Sequence, residues 1–207
     1  MRAGSDEELR QLGDLRGLDI RGLKLAQRAG VLGFTCWFGR QCYVITDKTR
    51  RVRELRALDG GGFRNSGDEL SKNAPVPGVD KSWLPGAFWL REASSDTNVL
   101  LVEGATDLLA AFDLYAEYRS CKGGQKEWVP VALLGAHCKR LHPECAELLK
   151  GRHVRIVADG DAAGDEMKKH WARLLHKRGC TVDFVEMPRG KDLSDIAHDI
   201  NSTNIYS

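Results

Sequence analysis

The chain has 207 residues, 42% of them hydrophobic, and a formal net charge of +2 from 31 Lys and Arg against 29 Asp and Glu. That length holds one ordinary domain with a smaller companion. No run approaches the roughly 20 apolar residues needed to span a bilayer, and the acidic start Met1–Glu8 has no apolar core of a leader, so the expectation is a cytoplasmic protein with no membrane partner. With so small a net charge, any nucleic-acid binding must come from local basic patches.

In chain order, residues 6–33 read as helical. Leu9, Leu12, Leu15 and Leu18 recur at threes, Leu23, Leu25 and Ala26 continue an apolar face, and glycines 13, 17 and 22 are expected to break the stretch into short helices. Residues 34–58 read as short strands, with the polar turn Asp47-Lys48-Thr49-Arg50 between two of them. Gly60-Gly61-Gly62 and the stretch from Asn65 to about Pro77 read as loop.

From Thr97 the pattern alternates. Strands are predicted at 98–103, 129–134, 154–158 and 181–185, and helices at 106–118, 141–149, 163–178 and 193–200. The last residues, 201–207, read as a frayed tail. Alternation of this kind predicts an α/β fold with a mostly parallel sheet flanked by helices, whose site forms at the carboxyl ends of the strands. A small α+β N-terminal subdomain at 1–92 is expected to precede the domain at 93–207.

Cysteines at 36, 42, 121, 138, 145 and 180 form no C-x-x-C pair and fit neither a disulfide framework nor a zinc ribbon, so reduced thiols are expected. His137, Cys138, His142 and Cys145 lie close enough to bind zinc in principle, but their spacing matches no common zinc pattern.

Three acidic motifs fall after predicted strands: Glu103-Gly104-Ala105-Thr106-Asp107, Asp159-Gly160-Asp161-Ala162-Ala163-Gly164, and Lys191-Asp192-Leu193-Ser194-Asp195. An acid after a strand is often only a helix cap, and for Asp107 and Asp195 that reading stands beside the functional one. Carboxylates gathered at one sheet edge repel one another unless a divalent cation neutralises them. Magnesium suits such a site because it takes oxygen ligands and keeps several waters.

Glu103-Gly104-x-x-Asp107 followed by Asp159-x-Asp161-x-x-Gly164 resembles the two hallmark motifs of the Toprim family, shared by bacterial (DnaG-type) primases, topoisomerases and some nucleases. The resemblance covers about residues 95–200. The third motif is similar to the Lys-Asp-x-Asn-Asp ending of primase-like proteins of phages and plasmids, with Ser194 where Asn is common. The segment 33–59 resembles the strand-rich region that precedes Toprim in primases, and Gly78–Gly86 resembles a Lys/Trp-containing stretch of primase-like proteins of mobile elements.

The resemblance implies a Toprim fold and a catalytic set of Glu103, Asp159 and Asp161. Glu103 would be a general acid or base, or a metal-adjacent carboxylate. Asp159 and Asp161 would hold Mg2+, for which Mn2+ can substitute, and Asp107, Asp192 and Asp195 would complete the acidic site or a second metal position. Lys191 and Lys81 would face nucleotide phosphates or nucleic-acid backbone, although Lys81 also reads as a solvated surface lysine. Trp83 could stack a base, but a tryptophan of this kind more often packs a small core. Arg50, Arg51, Arg53 and Arg56 are the better candidates for backbone contact, while Lys169, Arg173 and Lys177, four apart, read as a solvated helix face.

Nothing matches the zinc module that such primases carry, and no G-x-x-x-x-G-K-[ST] phosphate loop is present. The resulting expectation is a primase-like nucleotidyltransferase making short primers on single-stranded DNA from nucleoside triphosphates, working with a replicative helicase or another replication protein, or forming a fragment of a larger chain. The alternatives are a Toprim metal-dependent nuclease and a non-catalytic module that binds single-stranded nucleic acid or a replication partner.

Overall fold

The computed structural model describes residues 1–64, 70–74, 76–122, 127–135, 138–197 and 205–206. Its helices are α1 (Asp6–Arg16), α2 (Ile20–Arg28), α3 (Ala105–Lys122), α4 (Pro143–Leu149), α5 (Ala162–His176) and α6 (Leu193–Ile196). Its strands are β1 (Leu32–Trp37), β2 (Arg40–Ile45), β3 (Glu54–Ala57), β4 (Phe63–Arg64), β5 (Leu70–Ser71), β6 (Asn98–Val102), β7 (Trp128–Ala132), β8 (His153–Val157) and β9 (Thr181–Val185), with a 3₁₀ turn at Ala87–Arg91.

The second half is a parallel four-stranded sheet in the order β7-β6-β8-β9. β6 and β7 are buried along their whole length, which explains their unbroken apolar sequences. Alternate residues of β6 feed two cores. Leu100 and Val102 face a core shared with α3, whereas Val99 and Leu101 join one containing Met167, Trp171 and Leu175 of α5. The chain leaves β6 for β7 on one side and returns to β8 on the other. The carboxyl ends of β6 and β8 therefore flank the point where strand order reverses, where a crevice opens in such sheets.

Helix α3 is apolar almost all round because it is covered on both sides, by the sheet and by the N-terminal helices. Leu9, Leu12, Leu23 and Ala26 share its core, so the first helices and the parallel sheet are packed as one body of apolar side chains. Each fully buried leucine contributes roughly 2–3 kcal/mol. Only one of the three early glycines ends a helix. Gly17 caps α1 at φ 64, whereas Gly13 lies within α1 and Gly22 within α2. A Cβ on Gly22 would strike the backbone of Asp113, so this glycine lets α2 and α3 cross closely.

The antiparallel sheet β1-β2-β3 carries the Asp47 turn, whose carboxylate accepts from the Thr49 and Arg50 N–H groups. The short β4–β5 pair and an Ala74–Leu55 bridge fall in the stretch expected to be loop. There, residues 65–69 and 75 lie outside the described residues. The expected tail is also corrected. Ile205 and Tyr206 are buried, and the Tyr206 hydroxyl donates to the Ala111 carbonyl at 2.6 Å. Residues 198–204 and 207, which include the end of the expected last helix, lie outside the described residues.

Among the described residues no helix is long and apolar enough to cross a membrane. Cys36, Cys42, Cys138, Cys145 and Cys180 are all free thiols.

Candidate metal centre

The three acidic motifs are brought together by the sheet. Glu103 follows β6, Asp159 follows β8, and the Asp192 segment follows β9. Glu103 is almost fully buried, and its carboxylate accepts the backbone N–H of Asp159 at 3.1 Å. Asp107, also buried, reaches out of the first turn of α3 and accepts the Ser194 N–H at 3.2 Å. Ser194 donates its hydroxyl to Asp192 at 2.8 Å, so the mild sequence departure at this position serves the acidic loop directly.

The capping reading holds for part of the set. Asp161 is the N-cap of α5, accepting from Gly164 N–H at 2.8 Å. Asp192 and Asp195 form a reciprocal capping box on α6. A cap occupies one oxygen and leaves the other able to meet a ligand.

Two glycines set the approach of these loops. Gly160 N–H donates to the Lys191 carbonyl and the Gly160 carbonyl accepts from Gly190 N–H, both at 2.8 Å. A Cβ on Gly160 would collide with the Pro188 carbonyl, and one on Gly164 with the Asp159 carbonyl. Glycine at 160 lets the second and third acidic loops lie side by side, and glycine at 164 lets the second loop close onto the first turn of α5.

The electrostatics record the crowding. Burial, then the charges of Asp192, Asp159 and Glu103, push the Asp107 carboxyl up to about 7, against a smaller opposing effect of the Ser194 N–H. Burial and the charges of Glu103, Asp192, Asp161 and Asp195 push Asp159 up to about 7 as well. Every donor here is a hard carboxylate oxygen and the cluster is in excess of negative charge, which fits magnesium. Among the described residues no three His, Cys, Asp or Glu side chains form a finished metal cage. Magnesium held through one or two carboxylates, waters and substrate phosphates does not require one.

The basic and aromatic candidates divide. Lys191 is exposed beside the acidic loops. Lys81 lines two neighbouring depressions of about 500 and 520 Å³, the first with Arg53 and Asn73, the second with Gly135, Lys139 and Arg140. The Gly135 N–H donates to the Glu103 carbonyl, so the second depression borders the turn that carries Glu103. Arg56 is ion-paired with Glu54 at 2.7 Å, and the charge of Asp107 also acts on it. Arg51 bridges to Glu144 at 2.5 Å, and Arg50 holds the turn at φ 56.

Trp83 takes the core-packing role. It is fully buried, its indole N–H donates to Asp47, Arg51 covers it at 4.6 Å and His142 meets it edge-on. No ring face is left for a base. On α5, Lys168 pairs with Asp165 and Lys169 with Glu166, as a solvated face does.

The zinc reading gains nothing from the described residues. Cys138 donates to the Lys81 carbonyl, His142 caps α4, and burial pushes Cys145 up to about 12. His137 lies outside the described residues.

Sequence reasoning missed Arg152. Its buried guanidinium donates to the carbonyls of Leu148, Ser94, Thr97 and Leu90. One arginine before a strand gives no sequence signal of such a role.

Residues 100–197 match the Toprim-like family. None of the curated proteins matches the chain. Among solved structures, the fold is similar to the primase fragment of the bacteriophage T7 primase-helicase protein, at 18% identity and TM-score 0.61 over 93% of this chain and 70% of that one. It is also similar to the RNA polymerase domain of Mycobacterium tuberculosis primase DnaG, at 17% identity and TM-score 0.57 over 98% and 75%. The Aquifex aeolicus primase, with its zinc-binding and RNA polymerase domains, gives 23% identity and TM-score 0.51 over 99% of this chain and 49% of that one. These likenesses are of fold, and residues 100–197 form a Toprim-like domain.

Proposed function

We propose that this chain, built around a Toprim-like domain, is a primase-like nucleotidyltransferase that makes short primers on a single-stranded DNA template from nucleoside triphosphates. The observation that carries the reading is the convergence of three acidic motifs at the β6 and β8 carboxyl ends, with a basic groove leading to them. Folds shared with solved primase fragments support it.

In this reading Asp159 and Asp161 hold magnesium, with Asp107, Asp192 and Asp195 completing the acidic wall. Magnesium, when bound, supplies charge neutralisation at the transferring phosphoryl group. Glu103 keeps the Asp159 loop in place through the Asp159 N–H and offers a buried carboxylate as proton acceptor. Lys191, exposed beside the acidic loops, and Lys81, which shares a depression with Arg53, would meet the phosphates of a nucleotide or a template. Replication proteins are the class of partner that fits.

The test is incubation with single-stranded DNA, magnesium and labelled nucleoside triphosphates. Short products are expected that depend on magnesium and vanish in Asp159→Asn. Loss of the DNA itself would identify a nuclease. No primer in any template context, with a helicase supplied, would overturn the primase-like reading, and intact DNA as well would overturn both catalytic readings.

A further inference from the structure

We propose that the tip of the β1–β2 hairpin is a stacking platform for a base of single-stranded nucleic acid, with Phe38 as its principal ring. The tip is the two-residue turn Phe38-Gly39, both in the left-handed region at φ 48 and 79. A turn of this kind suits Asn or Gly at its first position, where a phenylalanine is strained. Phe38 is also 94% exposed, the most exposed large hydrophobic side chain among the described residues. The fold thus loses twice at this position, through backbone conformation and through apolar exposure, and gains only an edge contact with Trp37 in return. An outlier of this sort points to a use outside the fold.

The surroundings state the use. Trp37 meets Phe38 edge-on, with centroids 5.1 Å apart. Phe63 lies under the Arg40 guanidinium at 5.3 Å. Arg40 is itself fixed by Asp59 and by the Gly62 carbonyl, so it forms a planar wall and not a phosphate-seeking charge. With exposed Arg64 on the rim, these groups enclose a depression of about 200 Å³. Flat rings beside arginine are what sequence-tolerant single-strand binding uses.

Position supplies the continuity. Phe63 pairs with Ser71, which lines the next depression together with Arg53 and Lys81, so the platform lies at the far end of the groove that leads to the acidic edge. Along β2, Arg40 is three residues, roughly 10 Å, from Tyr43. Tyr43 pairs with Arg56, on which the charge of Asp107 acts. A strand lying in the groove would reach the platform a short way beyond the reacting end. An exposed ring can also dock a protein, but the line of Arg64, Arg53, Lys81, Lys139 and Arg140 favours a polyanion. The identity of the strand rests on the primase-like reading.

The test compares the full chain with Phe38→Asn by fluorescence anisotropy on a labelled oligo-dT, and by quenching of 2-aminopurine placed along it. The variant is expected to melt at the same or a higher temperature, because Asn suits the turn, while binding weakens at least about fivefold and quenching is lost. Unchanged affinity and quenching in Phe38→Asn would overturn the platform while leaving the primase-like reading intact. A wild-type chain that binds no oligonucleotide would overturn both. A variant that alters only self-association would show a protein-docking face instead, and would also overturn the proposal.

Discussion

Glu103 and Asp159 are joined across 56 residues by one hydrogen bond, from the Asp159 N–H to the Glu103 carboxylate at 3.1 Å. It ties the turn after β6 to the turn after β8, and it holds one carboxylate beside another that it repels. The Gln amide oxygen can accept the same N–H. Glu103→Gln is therefore expected to keep the fold and the loop geometry while losing the charge. Primer synthesis should fall by about 10²–10⁴-fold, with far-UV circular dichroism and the melting temperature close to wild type. A collapse of the melting temperature would show that Glu103 is chiefly structural.

Asp107 and Asp159 make the cation-free protein pH-dependent in a definite direction. Their folded values, both about 7, lie above the ordinary carboxylate value of 3.8, so the folded state binds more protons than the unfolded chain between those values. The stability this confers is complete below about 3.8 and is lost as pH rises through about 7. In the presence of a chelator the melting temperature should fall between pH 5 and pH 8. Added magnesium should raise it more at pH 8, where the carboxylates are ionised, than at pH 5, where protons compete. Asp107→Asn should flatten the chelator curve, because it removes one of the two charges. A magnesium effect equal at both pH values would count against the acidic cluster as the binding site.

Arg152 holds the 3₁₀ turn, the entry to β6 and the end of α4 through the carbonyls of Leu90, Ser94, Thr97 and Leu148. Arg152→Leu would take this donor from the carbonyls of Leu90, Thr97 and Leu148, at a cost of about 2–4 kcal/mol. The midpoint of urea unfolding should drop accordingly, with activity per folded molecule preserved. Arg152→Lys should rescue little, since an ammonium cannot match the fork of a guanidinium. Full rescue by Lys would mean that only the charge matters.

The parallel sheet was legible first in β6 and β7, which are buried on both faces and so write themselves as the apolar runs Asn98–Val102 and Trp128–Ala132. The acidic edge was legible for a related reason, since Glu103 and Asp159 sit just past the strand ends that the runs define and Asp192 just before the last short helix. Arg152 escaped altogether, and for residues that were singled out the partners did, because they lie far along the chain: Trp83 is held by Asp47, Arg152 by Leu90, and Asp107 by Ser194, none of which a local pattern reveals. The early glycines show the same limit. Gly17 is a cap and Gly22 a helix contact, and only the Asp113 backbone against α2 distinguishes them.

Tyr206 is the clearest case of a residue whose role is set by tertiary contact alone. It follows a polar stretch, yet it is buried against Tyr115, Tyr118 and Trp128, with ring centroids 5.3, 5.4 and 5.6 Å away. Its hydroxyl donates to the Ala111 carbonyl of α3, and burial with the neighbouring Tyr115 raises its phenol well above the ordinary range. Two contributions can be separated by substitution. Tyr206→Phe keeps the ring and removes one buried hydrogen bond, which should cost about 1 kcal/mol. Tyr206→Ala removes the ring as well and opens a cavity beside Trp128, for about 3–5 kcal/mol in total. Urea unfolding of the two variants gives the ratio directly. The same ring lies over the core that α3 shares with α1 and α2, so the Ala variant should also increase hydrogen exchange along α3. If both variants unfold at the wild-type midpoint, the end of the chain is not packed on α3 in solution.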